Sequence, residues 1–263
     1  MCDITLNQRN SNSASNFQPA TSEPETDNND GQSSISFYGI FWRSCLLVST
    51  FGSSFAVLLL VDSIWRPLLA FFMIVSFFHF SEFFVTALSK PRSLGSDLFL
   101  LNHSPAYNFA LLIAIIEFVI EVKWFPYLKL YPSISLLGVL ICIAGESVRK
   151  TAILTARSNF DHRLKTHKEK GHVLVTHGIY SWSRHPAYVG WFYWAIGTQV
   201  LLLNPVSLIF YAISSWKFFD ERVDFEESLL IRFFGQEYRN YQKKVPTRLP
   251  FVKGSLITTG HNF

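Results

Sequence analysis

Residues 181–205 read "SWSRHPAYVGWFYWAIGTQVLLLNP". From position 187 to 203 the run is almost wholly apolar and aromatic, and Asn204-Pro205 then stops it, a helix-stop and turn signal. Arg184 and His185 stand at its doorstep, although membrane segments avoid such groups because desolvating a charge is costly. Pro186 suits an early helical position, and Ser183 can act as an N-cap. The free amides and positive dipole of a helix starting there attract polar or anionic groups. Gly190 allows close backbone approach, and the neighbouring aromatics could wall a planar ring. Equally, Arg184 and His185 read as interface anchors, with Tyr188, Trp191, Tyr193 and Trp194 as belt aromatics. Spacing alone leaves both readings open.

The rest of the chain repeats the apolar theme. Its 263 residues are 49% hydrophobic and 16% aromatic, with 26 Phe, and the mean hydropathy is +0.22. Apolar segments fall at about 41–61, 67–88, 107–122, 133–155, 187–203 and 206–219. About 20 apolar residues span the hydrocarbon core, and too little polar sequence separates these blocks to coat a soluble core. The expected fold is therefore all-α: a polytopic integral membrane bundle of about six transmembrane segments. Residues 1–35, rich in Asn and Ser, read as a disordered polar tail, without the basic n-region and short apolar core of a secretory signal. Residues 36–157 carry the first four membrane helices. Residues 158–263 carry a loop, a helical hairpin and C-terminal helices, the whole forming one membrane domain.

Charge sets the orientation. Arg149, Lys150, Arg157, Arg163, Lys165, Lys168 and Lys170 face only Asp161 and Glu169 across residues 149–170, and the tail adds Arg232, Arg239, Lys243, Lys244, Arg248 and Lys253. The positive-inside rule places both stretches, and both termini, in the cytosol. The loop 89–106 falls on the same side, so the Asn102-His103-Ser104 sequon is expected to remain unmodified. Beyond position 220, apolar residues Phe225, Leu229, Leu230, Phe233 and Phe234 recur at helical spacing. An amphipathic helix over 221–234, a turn at Gly235 and a short helix to about 244 would lie against the membrane or roof the hairpin.

Several polar groups invite chemistry. Arg222 and Glu226 are four apart and share a helix face with the adjacent Glu227 in reach. They read as a surface salt bridge, or as a guanidinium that clamps a carboxylate beside a carboxylate that faces a cation. Residues 171–186 are too short to span, and read as a connector or as a loop lining a pocket with its backbone. His162, His167 and His172 share no helix face and have no Cys companions, and Cys2, Cys45 and Cys142 are unpatterned, so no metal is expected. His79, Glu82, Glu117 and Glu146 lie in apolar segments, with His79 and Glu82 spaced for a local hydrogen bond. No GxGxxG follows a strand, so a dinucleotide-binding domain is not expected.

The stretches "HVLVTHGIYSWSRHPAYVGWFYWAIGTQVLLLNP" and "EESLLIRFFGQEYRNYQKKVPTRLPFVKG" together resemble the isoprenylcysteine carboxyl methyltransferases. "FHFSEFFVTAL", "FLLNHSPAY" and "GESVRKTAILTARSNFDH" resemble earlier parts of the same family, so the likeness runs over about 42–253. RHPxYxG alone is shared with other membrane methyltransferases and sterol reductases; HxLVTxGxY, RxxxEE, FGxEYxxY and VPTxLP add to it. The resemblance implies a multi-pass enzyme of the endoplasmic reticulum membrane. It would transfer methyl from S-adenosyl-L-methionine to the C-terminal carboxylate of farnesyl- or geranylgeranyl-cysteine in processed CaaX proteins (small GTPases and similar). Membrane lipid would be its other partner, with no nucleic acid and no metal.

Carried over by position, the family's cofactor contacts fall on His172, Val173, Leu174, Val175, Tyr180, His185, Pro186, Ala187, Tyr188 and Glu226, in a pocket expected to be roofed by the C-terminal amphipathic helices. The substrate-contacting arginine falls on Arg222, and Arg222 and Glu226 are the expected catalytic pair. Ala187 stands where the family often has Ser, and Lys165 where it has Gln. On this reading Arg184 is an anchor. Remaining alternatives are a membrane methyltransferase acting on phospholipid, an NADPH sterol reductase, and a non-enzymatic binder of prenylated tails.

Overall fold

The computed structural model describes residues 37–60, 62–90, 95–101, 104–164, 166–168 and 171–255. The polar N-terminal tail, Cys2, the Asn102-His103 part of the sequon and Lys165 lie outside the described residues. Among the described residues seven α-helices follow one another: α1 (Phe37–Leu60), α2 (Arg66–Ser89), α3 (Pro105–Trp124), α4 (Pro132–Ala156), α5 (Pro186–Leu202), α6 (Pro205–Phe234) and α7 (Gln236–Lys244). No strand occurs among the described residues. Proline sits in the first turn of α2 to α6, where its missing N–H costs nothing and its fixed φ favours the helix.

Among the described residues three helices, α1, α2 and α3, are long and apolar enough to cross a membrane by length and composition. α1 buries only Leu47 and Ser54, while Leu46, Leu59 and Leu60 lie exposed. Ile116 on α3 and Leu140 and Ile143 on α4 likewise face outward. An apolar outside with backbone bonds closed inside helices is what hydrocarbon requires. The chain is thus an all-helical membrane protein.

α4 packs most extensively on α5. Small residues allow it: a Cβ on Gly145 would stand 2.6 Å from the Gly190 carbonyl and 2.7 Å from the Trp194 amide. Such close helix contact is the usual function of glycine in membrane bundles. Trp194 then stacks on Phe78 of α2 at 4.0 Å, within a core that includes Phe71, Phe118 and Leu202.

The polar residues of the apolar segments are spent on joining helices. Glu82, fully buried, accepts from Arg149 Nε (3.1 and 3.0 Å) and Nη2 (2.6 Å) and from Lys150 Nζ (2.5 Å). Arg149 Nη1 donates to the Ala187 carbonyl at 3.2 Å, tying α2, α4 and α5 together. Glu146 accepts from Ser81 on α2. His79 Nδ1 and Nε2 meet the Phe99 carbonyl (2.8 Å) and Tyr107 hydroxyl (3.0 Å). Glu117 caps α6, receiving the Val206 and Ser207 amides at 2.9 and 2.7 Å. At the α5–α6 turn, Lys129 Nζ donates to Glu121, to the Leu202 and Leu203 carbonyls and to Asn204 Oδ1.

Two local expectations change. The segments 206–219 and 221–234 form one helix, because Asp220, Glu221 and Arg222 contain no breaker and Gly235 is the first stop. Ser183 is not the N-cap of α5: the helix begins at Pro186 with His185 as its N-cap. The Ser183 hydroxyl instead accepts the His185 amide (3.1 Å) and donates to the Thr247 carbonyl (2.6 Å).

Candidate functional site

The connector 157–185 leaves α4, passes 3-10 turns at Arg157–Asn159 and Gly178–Ser181 and delivers the chain to Pro186. It is clipped to the end of α6: Lys168 Nζ donates to the Phe233 carbonyl at 3.0 Å, and the His172 ring meets Phe234 edge-on at 5.4 Å. Leu174 packs with Leu230 and Phe234 against Ile231, Tyr238 and Tyr241. Asn159 Oδ1 receives the Val173 amide at 3.0 Å. The Leu174 and Val175 backbones, half-buried, make no hydrogen bond among the described residues.

These elements enclose a cleft of about 950 Å³ including its open mouth. Its wall includes His172, Val173, Leu174, Val175, Tyr180, His185, Pro186, Ala187, Tyr188 and Glu226, every position assigned to the cofactor by resemblance. Sequence reasoning missed other parts of the wall, among them Asn159 and Phe160 after α4, and Leu229, Leu230, Phe233 and Phe234 from α6. The helical spacing of that last group was visible, and the C-terminal helices were expected to roof a pocket, but which of their side chains would line it was not visible. Burial, with nearby Glu226 and the Tyr241 phenol adding to it, pushes the Tyr180 phenol above its ordinary range. The Tyr241 hydroxyl donates to the Tyr180 carbonyl at 2.6 Å, fixing this wall to α7.

Arg222 lies elsewhere. It lines a second cavity of about 550 Å³ with His79, Tyr107, Arg149, Trp191 and Phe218. Tyr188, Phe160 and Asp161 belong to both walls. Arg222 and Glu226 share a helix face as expected, but they meet through Tyr188 instead of a direct salt bridge. Arg222 Nε donates to the Tyr188 hydroxyl at 2.9 Å, and that hydroxyl donates to Glu226 Oε2 at 2.5 Å. Arg222 Nη2 also donates to the His162 carbonyl at 2.7 Å. The guanidinium is thereby fixed by two acceptors, while Nη1 has no partner among the described residues.

Arg184 is not an interface anchor. It is buried, and its Nε donates to Glu227 Oε1 at 2.7 Å. Nη1 donates to the carbonyls of Gln242 (3.2 Å) and Val245 (2.5 Å), and Nη2 to that of Lys253 (3.0 Å). The C-terminal segment folds back over the α5 N-terminus and supplies these oxygens, a closure that spacing along the chain does not reveal. Glu227 is the hub of that closure. Its carboxylate also accepts from the Tyr238 hydroxyl (3.0 Å), Gln242 Nε2 (2.7 Å) and the Ser255 amide (3.0 Å), with His185 Nε2 at 3.1 Å. Burial acts to raise the carboxyl's pKa, but the His185 and Arg184 contacts outweigh it and hold it below the usual carboxylate range.

Comparison with known proteins agrees with this architecture. Residues 137–232 match the model of the isoprenylcysteine carboxyl methyltransferase (ICMT) family. A protein-S-isoprenylcysteine O-methyltransferase of Xenopus laevis is 50% identical over 217 residues, covering 82% of this chain and 75% of that protein. The Tribolium castaneum protein of that name is 44% identical over 230 residues, covering 84% and 82%, and the Saccharomyces cerevisiae one 47% over 189, covering 69% and 79%. A solved structure of the eukaryotic intramembrane Ras methyltransferase ICMT superimposes with a TM-score of 0.81 at 44% identity, over 83% of this chain and 78% of that one. With three quarters or more of such relatives spanned at this identity, the chain belongs to the isoprenylcysteine carboxyl methyltransferase family.

Proposed function

We propose that this chain transfers a methyl group from S-adenosylmethionine to the C-terminal carboxylate of farnesyl- or geranylgeranyl-cysteine, giving the methyl ester. Processed CaaX proteins, small GTPases among them, supply that terminus. One observation carries the reading: a cleft with a carboxylate and a cavity with a guanidinium share a wall, in which the Tyr188 hydroxyl touches both groups. A cationic methyl donor and an anionic acceptor can then be held on either side of it.

The cleft's residues fit the donor's chemistry. Leu174, Leu230, Phe233 and Phe234 offer an apolar slot for a flat base. The Leu174 and Val175 backbones offer unspent donors and acceptors for its polar edge. The Glu226 side chain is 27% exposed, against 0% for Glu227, so it remains open to a cationic group. When bound, the cofactor supplies an electrophilic methyl group, and the protein's contribution is positioning.

The acceptor needs no general base, since an α-carboxyl group with a reference pKa of about 3.5 is ionised near neutral pH. Arg222 keeps Nη1 unspent beside Nη2, the edge with which guanidinium grips a carboxylate bidentately. Its Nε and one Nη2 bond already hold it in place, so little freedom is lost on binding. Orientation of this kind can supply about 7 kcal/mol of a barrier. His79, Tyr107, Trp191 and Phe218 wall the same cavity towards the membrane helices. The prenyl chain enters from the bilayer, where each buried CH₂ contributes about 0.8 kcal/mol, and the cofactor enters from water. We place the enzyme in the endoplasmic reticulum membrane with about six spans and both termini cytosolic.

Arg222→Ala and Glu226→Ala test the division of roles. Arg222→Ala is expected to abolish transfer while leaving S-adenosylmethionine affinity within a few fold. Glu226→Ala is expected to weaken that affinity. Equal loss of folded protein in both, with no such split, would assign the pair a structural role and overturn the reading.

A further inference from the structure

Tyr188 does more than line a wall. Its single hydroxyl hydrogen goes to Glu226 Oε2, and its oxygen receives Arg222 Nε. The ring is held between His185, parallel at 5.5 Å, and Phe219 at 5.1 Å, with the Arg222 guanidinium 5.5 Å from its centroid. The phenol oxygen therefore cannot move away from either partner without breaking a stack. We propose that the Tyr188 hydroxyl couples the two cavities, acting as a positioning residue that makes cofactor binding strengthen the grip of Arg222 on the substrate carboxylate. This rests on the function proposed above and goes beyond it, because nothing in that function requires the two sites to communicate.

The sign follows from the chain of hydrogen bonds. A phenol that donates to a carboxylate is polarised and becomes a better acceptor. With no ligand cation at Glu226, whose Oε2 otherwise has only the Tyr188 hydroxyl and His185 Nδ1 (3.7 Å) beside it among the described residues, Tyr188 draws on the Arg222 guanidinium and spends part of its positive charge internally. A ligand cation on the exposed side of Glu226 takes up the carboxylate's charge, and the phenol is less polarised. Arg222 then meets an incoming carboxylate with more of its charge available. Linkage makes the effect reciprocal, so the carboxylate must tighten the cation's binding by the same factor.

The experiment measures binding, not turnover. Purified full-length protein in detergent is titrated with N-acetyl-farnesylcysteine, with and without saturating sinefungin, a cofactor analogue that carries an amine where the sulfonium stands and transfers no methyl. The wild type is expected to bind the prenylcysteine about fivefold or more tightly in the presence of sinefungin, the lower end of usual coupling. Tyr188→Phe keeps the ring and its stacks but removes the bridge, and should bind both ligands with a factor near one. Phe219→Leu loosens a stack but keeps the hydroxyl, and should retain the factor. Glu226→Gln keeps an acceptor without its charge and should also lower the factor, which serves if Tyr188→Phe does not fold. A wild-type factor in Tyr188→Phe or in Glu226→Gln overturns the proposal. So does a factor of one in the wild type with both ligands bound, which leaves the proposed function standing. Failure of the wild type to bind either ligand overturns that function and this inference with it.

Discussion

Glu226 and Glu227 are neighbours in sequence but about 100° apart around α6, and substituting each should destabilise the protein to a different extent. Glu227→Ala removes the acceptor of Arg184, Tyr238, Gln242 and the Ser255 amide, and the partner of His185. Removing one member of a buried ion pair costs about 3–5 kcal/mol. Arg184 keeps its three carbonyl partners, so the lower end, about 3 kcal/mol, is expected. Glu226→Ala removes one hydrogen bond from Tyr188 at a partly exposed site, worth about 1 kcal/mol. For a chain of this size each kcal/mol moves the Tm by about 2–4 °C, so Glu227→Ala should lower it by about 6 °C or more and Glu226→Ala by about 2–4 °C. Circular dichroism melts in detergent read this, and limited proteolysis beyond Pro246 reads whether the C-terminal segment has come loose. A wild-type melt and a protected C-terminus in Glu227→Ala, or a larger loss in Glu226→Ala, would refute the hub assignment.

Other outcomes follow from the same structure. Arg222→Lys keeps the charge but loses the fork; a charged hydrogen bond is worth about 1.5–3 kcal/mol, so kcat/KM should fall about tenfold or more. Gly190→Ala puts a Cβ 2.7 Å from the Arg149 amide, and overpacking of about 1–3 kcal/mol should lower the melting temperature without changing substrate preference. Because the folded-state pKa of Glu227 is depressed, its contribution is complete above the unfolded value of about 4.3 and is lost as pH falls through the lower folded value. Acidic melting curves should therefore flatten in Glu227→Gln relative to wild type. Lys129→Met leaves the buried Glu121 carboxylate unpaired and should cost about 3–5 kcal/mol, with partial rescue by Glu121→Gln in the double variant.

The helical segments were legible because apolar length and proline placement are local signals: α2 to α6 each begin within two residues of their expected starts. A loop lining a pocket was one of two readings of residues 171–186, but its wall residues were named only through the family's motifs, since backbone groups such as those open at Leu174 and Val175 leave no mark on residue type. What neither spacing nor motif disclosed was long-range partnership. Arg184 looked like an anchor because its counter-ion stands on α6, and its carbonyl partners lie still further on. Arg222 and Glu226 looked like a salt bridge because helical spacing brings them close; the phenol that stands between them comes from α5. His79 and Glu82, spaced for each other, bond instead across helices to Tyr107 and Arg149.

The central claim is methyl transfer to a prenylated carboxylate, and one assay meets it directly. Purified protein is incubated with methyl-tritiated S-adenosylmethionine and either N-acetyl-farnesylcysteine or its non-prenylated analogue. Base-labile tritiated ester is expected from the prenylated compound alone. Equal incorporation into both, or none into either, would contradict the account.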